Sequence, residues 1–341
     1  MSPLEQAILR TVAYFDIFSY PLTMWEVWKW LFSPVIASPA PAGRSNPDDT
    51  AGSPVGGPRR PSASLGTPRK DGTWNLADVV NAIETSSVLE EKIDCKSGFV
   101  FLKGRDSLVA IRQERYRLAL EKLDRAKRFT RTLVRIPFVR AVFACNSLGF
   151  ANARAESDID FFIIAERGHL WIVRLLAAGW AKFRKLRPVP GNRADKFCLS
   201  FFLSDDSLDL SAIRLEADPY LTMWLATLVP IYDPDNLRLT LWQSNTWAQT
   251  ALPNAAARGL AQQRKVPKSN IARILVPIFR SSLFERMAER MQQRVLAPNL
   301  RTLANQDTRV ILNRHMLKFH DNDRRQEYRQ ALASRLSHLG V

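Results

Sequence analysis

The chain has 341 residues, enough for two or three domains. Its content of 46% hydrophobic and 24% charged residues is ordinary for a folded globular protein and excludes a chain disordered throughout. The balance of 49 Lys+Arg against 33 Asp+Glu, formally +16, favours a polyanionic partner, RNA or DNA or an anionic surface, unless a generally basic proteome is its source.

The N-terminal stretch reads as helical. Ser2-Pro3-Leu4-Glu5 is a capped start, and Leu4, Ile8, Val12 and Phe15 recur at helical spacing. Tyr20-Pro21-Leu22 breaks that helix and Thr23 can cap a second, apolar one through Trp25, Val27, Trp28, Trp30 and Leu31. Mixed charge within the first ten residues argues against a signal peptide, and no uncharged run reaches the ~20 residues a spanning helix needs. The expectation is a cytoplasmic protein with no membrane partner.

Residues 34–72 are rich in Pro, Ser, Gly and Ala, and read as a disordered insertion because they bury too little apolar surface. Order is expected to resume at Trp74, with Asn75 capping a third helix over Val79, Val80 and Ile83. A β-hairpin is expected from 88–93 and 99–102 about Lys96-Ser97-Gly98. Three helices and a hairpin resemble a winged helix over residues 1–105, with the insertion inside it. The third helix carries two acids and no base, which favours packing over groove contact. A long helix at 106–135 follows. Residues 103–140 hold twelve Lys/Arg and four Asp/Glu, a charge run that is either a solvated face or a guide for RNA or a triphosphate.

The stretch AVFACNSLGFANARAESDIDFFIIA, residues 141–165, reads as strand, tight turn, short helix or loop, and strand. Side chains alternate along a strand, so Asp158 and Asp160 share a face. Two such carboxylates can hold Mg²⁺, a hard cation that takes one or two carboxylates plus substrate phosphates. Ser147, at a strand-to-helix turn, offers its hydroxyl and nearby N–H groups to a phosphate.

Asn146-Ser147 and, eleven residues after Ser147, Asp158-Ile159-Asp160 at an apolar strand resemble the polymerase-beta-like nucleotidyltransferase superfamily, over about residues 136–215. The resemblance implies an α+β fold with a mixed sheet and a Mg²⁺-dependent transfer of a nucleotide from a nucleoside triphosphate. Asp158 and Asp160 would be catalytic metal ligands, with Asn146 and Ser147 binding the nucleotide. Asn146 stands where the family has Gly, and Asn tolerates φ > 0 better than other non-Gly residues. The family's third carboxylate, on a following strand, should fall in FCLSFFL, residues 197–203, whose centre offers Cys198 and Ser200 instead. Asp195, Asp205, Asp206 or Asp209 fills that role from a shifted position, or none does. In the latter case the domain is a degenerate one in a nucleic-acid-binding or regulatory protein. Cys145 and Cys198 read as buried thiols, and Cys95 has no metal-ligand spacing with them.

Residues 216–341 read as a helical, basic region. Helices over 218–231 and 237–251 carry Tyr220, Trp224, Trp242 and Trp247 as packing aromatics, and Leu283, Met287 and Met291 form a stripe expected in the core. Residues 313–328 gather His315, Lys318, His320, Asp321, Asp323, Arg324 and Arg325. They read either as a substrate or phosphate site or as a capped turn between two surface helices.

Overall fold

The computed structural model describes residues 1–33, 73–256 and 266–341. The stretch read as a disordered insertion, 34–72, lies outside the described residues. The fold is mixed α+β, with a three-stranded and a six-stranded sheet, and no helix among the described residues is long and apolar enough to cross a membrane.

Reciprocal caps start the first helices. In α1 (Pro3–Asp16) the Ser2 N–H donates to Glu5 at 2.6 Å and the Glu5 N–H donates to the Ser2 hydroxyl at 3.3 Å. After β1 (Leu22–Thr23), Thr23 and Glu26 repeat this box for α2 (Met24–Lys29). Next come α3 (Leu76–Thr85) and the short α4 (Ser87–Glu90), then β2 (Ile93–Lys96) and β3 (Phe99–Leu102). The strands pair antiparallel in the order β1-β3-β2. Ser97 and Gly98, with φ of 53° and 79°, make the two left-handed positions of a tight hairpin turn. The hairpin starts at Ile93 and not at residue 88, because the Ser86 hydroxyl caps Leu89 N–H and winds 87–90 into α4.

The long α5 (Leu108–Leu133) leads to the large sheet. Its strands are β4 (Val139–Ala144), β5 (Ile159–Ala165), β6 (Phe197–Ser204), β7 (Val229–Tyr232), β8 (Val310–Leu312) and β9 (Met316–Phe319), in the order β7-β4-β5-β6-β9-β8. Only β5 and β6 pair in parallel, joined by the crossover helix α6 (Leu170–Phe183). The remaining helices are α7 (Pro219–Thr227), α8 (Leu237–Gln243), α9 (Thr246–Ala251), α10 (Asn270–Phe279), α11 (Ser282–Arg294), α12 (Pro298–Leu303) and α13 (Arg325–Leu339).

Strand alternation divides the core in two. Ala141, Phe143, Phe162 and Ile164 face a cluster shared with α1, α3, α7, α8 and α13, so the N-terminal helices pack on the same side of the sheet as the C-terminal one. Val142, Ala144, Phe161 and Ile163 face the other cluster, built with α5 and α6.

The C-terminal part departs from the helical reading, since residues 216–341 contribute three of the six strands. Val229–Tyr232 follows α7 so closely that its apolar run reads as more helix. Pro230 can sit there because β7 is an edge strand. Residues 313–328 hold the turn from β8 to β9 and the entry to α13, not a turn between two surface helices.

The stripe expected in the core is instead exposed, with Leu283 and Met287 at 55% and Met291 at 48%. The opposite side of α11 docks on α6. No side chain of α6's own entry residue His169 caps that helix. Glu285 supplies the cap, accepting from Trp171 N–H at 2.7 Å and Ile172 N–H at 3.0 Å, while Gln292 donates to Trp171 C=O. These bonds to the otherwise uncapped start of α6 fix which side of α11 meets it.

Candidate functional site: two carboxylates and a thiol at one end of β5 and β6

Asp158 lies just before β5 and Asp160 is its second residue, with Ile159 turned into the α5/α6 core between them. The parallel register sets Asp160 beside Cys198 on β6. One ligand atom from each of Asp158, Asp160 and Cys198 lies within 4.8 Å of the others. The two carboxylates share a site as the sequence requires, and the third position is a thiol.

None of the four proposed acids takes that position. Asp195 accepts from Lys122 at 2.8 Å and Arg125 at 2.6 Å, which ties it to α5. Asp205 and Asp206 follow the far end of β6, where Arg140, Arg167 and His315 meet them. Asp209 accepts from the N–H and hydroxyl of Ser211. Because β5 and β6 are parallel, residues after β6 lie at the end of the sheet opposite Asp158 and Asp160.

The electrostatics of the pair are unbalanced. Burial and the like charge of Asp158 push the Asp160 carboxyl up to about 6, against hydrogen bonds from Asn146 and Cys198. Asp158 has a cation of its own, accepting from the Arg193 guanidinium at 3.0 Å. Arg193 is 65% exposed and stands in the loop that enters β6. Burial, with Asp160 beside it, pushes the Cys198 thiol up to about 12.

Asn146 does more than tolerate its backbone. Its φ is 54°, and its side chain bonds Asp160 and accepts from the Tyr220 hydroxyl at 3.2 Å. Cys145 N–H donates to Asp160 C=O at 3.1 Å and pins the loop to β5. Ser147 stands in this loop beside Asn146, but the helix expected behind it is a single 3₁₀ turn, Asn146–Leu148. Any phosphate contact there depends on the hydroxyl and local N–H groups, not on a helix dipole.

Gly149 closes the turn against the end of α7. A Cβ there would lie 2.9 Å from the Thr227 hydroxyl and 3.0 Å from Asn146 C=O. Gly149→Ala is therefore expected to cost about 1–3 kcal/mol through overpacking and to move Asn146. Thermal unfolding of the variant checks this, and an unchanged melting temperature would contradict it.

Sequence reasoning found Cys198 and Ser200 at the centre of the strand expected to carry the third carboxylate, but read Cys198 as a buried thiol and not as a member of the site. The available signal was its place: second residue of its strand, as Asp160 is of β5. The donor set suits a divalent cation at the carboxylates. Two carboxylates match what Mg²⁺ takes from a protein, while the thiol is too soft to add to its shell.

From Cys198 a chain of contacts leads along β6 and across to β9. Cys198 Sγ is 3.4 Å from Ser200 Oγ, which is 3.1 Å from His320 Nε2. Burial, with Lys318 nearby, pushes His320 down to about 3, so its imidazole is neutral at physiological pH. Part of the 313–328 cluster thus approaches the carboxylates, while His315 stands at the other end of β6. A scan of protein-family models and searches of curated proteins and of solved structures each find no match to this chain.

Proposed function

We propose that this protein is a Mg²⁺-dependent nucleotidyltransferase that moves a nucleoside monophosphate from a nucleoside triphosphate to an acceptor hydroxyl. The observation that carries the reading is the pair Asp158 and Asp160 at one end of β5, facing the left-handed Asn146 and its neighbour Ser147. Asp158 and Asp160 would hold the cation, which when bound neutralises triphosphate charge and polarises the α-phosphate. Asn146 orients Asp160 through its amide, and Ser147 would donate its hydroxyl to a phosphate oxygen. Arg193 would exchange its contact with Asp158 for the phosphates once a cation sits there. The acceptor oxygen bonds to the α-phosphorus, the bond from that phosphorus to the bridging oxygen breaks, and pyrophosphate leaves with its electron pair. The acceptor proton passes to water. A triphosphate substrate suits a cytoplasmic site of action, and the +16 charge suits an RNA or DNA acceptor.

A second reading is favoured by one observation: among the described residues the third ligand position is Cys198 and not a carboxylate. In this reading the site binds a triphosphate without transferring it, within a regulatory or nucleic-acid-binding protein.

The test measures thermal stability and pyrophosphate release with Mg²⁺ and each nucleoside triphosphate. A ligand at 100 times its Kd stabilises the folded state by about 2.7 kcal/mol. A shift with pyrophosphate release in wild type, both lost in Asp158→Asn with Asp160→Asn, supports transfer. A shift without pyrophosphate supports the second reading. No shift with any of the four nucleotides defeats both.

A further inference from the structure

Beside the carboxylates lies a cavity of about 160 Å³, close to the roughly 150 Å³ that holds one benzene ring. Its walls are aromatic: Phe201 from β6, Tyr220 and Trp224 from α7, and Tyr328 from α13. Asn146 lines it too, so it opens onto the same loop that orients Asp160. Tyr220 is one hydrogen bond from Asn146, and Asn146 one from Asp160.

The charges around the cavity are already committed. Lys318 donates to Asp323 and to Thr308 C=O, and Arg325 to Asp323, Asp218, Ile213 C=O and the Thr308 hydroxyl. Arg324 pairs with Glu327 and covers the Tyr328 ring. A charged occupant would have to break these pairs. The polar groups suited to a neutral occupant are the His320 imidazole, held at Nε2 by Ser200, and the Asn322 amide, which both donates and accepts. Aromatic faces with a few such groups suit a flat, uncharged heteroaromatic ring.

We infer that this cavity receives the nucleobase of the triphosphate, seated against the Tyr220–Tyr328 pair, whose rings already stack on each other with centroids 5.1 Å apart, with Asn322 and His320 reading its edge. The inference rests on the nucleotidyltransferase reading and adds to it the element that recognises the base. One ligand would then span from the cation held by Asp158 and Asp160, with a phosphate at Ser147, past Asn146 to the cavity.

The experiment compares ribose 5-triphosphate, which lacks the base, with ATP, GTP, CTP and UTP by calorimetry in Mg²⁺, using the full chain. Stacking on an aromatic side chain is worth about 1–3 kcal/mol per base. At least one nucleotide is therefore expected to bind about 5- to 150-fold tighter than the base-free triphosphate. Tyr328→Leu and the exposed Asn322→Ala are each expected to shrink that advantage while ribose 5-triphosphate binds as before. Asn322→Ala keeps the test valid should Tyr328→Leu not fold. Equal affinity of wild type for all five ligands, or an advantage unchanged in both variants, overturns the inference and leaves the transferase reading standing. Failure of all five to bind in Mg²⁺ defeats both.

Discussion

Arg325→Ala is expected to be the most destabilising single change outside the hydrophobic core. Arg325 is 5% exposed and its guanidinium bonds Asp218 at 2.9 Å and Asp323 at 2.8 Å, carboxylates that are themselves 1% and 10% exposed. Removing the cation leaves Asp218 without its ion-pair partner and Asp323 with Lys318 alone. Breaking a buried pair by deleting one partner costs about 3–5 kcal/mol, on the order of ten degrees in melting temperature for a chain of this length. Arg329→Ala is the control, since Arg329 is only partly buried and, among the described residues, hydrogen-bonds a backbone carbonyl, Glu216 C=O, and no carboxylate. The pH dependence follows from Asp323. Burial raises its pKa, but hydrogen bonds from Arg325 and the charges of Lys318 and Arg325 outweigh burial and bring it down to about 2. An unfolded Asp titrates near ~4. The pair's stabilisation is thus fully present above about 4 and disappears as pH falls through about 2. Denaturant titrations across that window read the difference, and equal acid sensitivity of wild type and variant would refute it.

Asp160→Asn is expected to abolish pyrophosphate release and at the same time to stabilise the protein without ligand. The folded-state pKa of Asp160 is raised, so ionising it in the fold is unfavourable. The sign is opposite to that of Asp323. The cost is absent below the unfolded pKa near ~4 and grows as pH rises through about 6. Wild type should lose stability from pH 4 to pH 7 relative to Asp160→Asn, and Mg²⁺ with nucleotide should restore it in wild type alone. Denaturation midpoints at pH 4.5 and 7.5 test this, and parallel stability curves for the two proteins would sink it.

Much of the site was legible because it is local. The gap from Ser147 to Asp158, the alternation through Ile159 and the apolar run after Asp160 are properties of 25 consecutive residues, 141–165. What escaped was long-range. Cys198 joins the site through pairing of β5 with β6, and His320 arrives through pairing of β6 with β9, some 115 residues further on. Lys318 also hid β9, because a charged residue in an apolar strand argues for a surface until its partner Asp323 is known. The Leu283 stripe misled for the converse reason: apolar spacing says that a face exists, and only the uncapped start of α6 says which face is used.

The placement of β9 has a consequence for how the chain is made. Phe201, Phe202 and Leu203 of β6 pair with Lys318, Leu317 and Met316. A ribosome adds about 5–20 residues per second, so β6 waits on the order of ten seconds for its neighbour. During that interval β6 is an apolar edge, the kind of surface that recruits strands from other chains. The nascent protein carries Asp158 and Asp160 early but lacks His320, Asn322 and Tyr328 until residue 328 has emerged. A polypeptide released before that point would carry the carboxylates without the wall of the adjoining cavity, and would expose β6 to capture by chaperones.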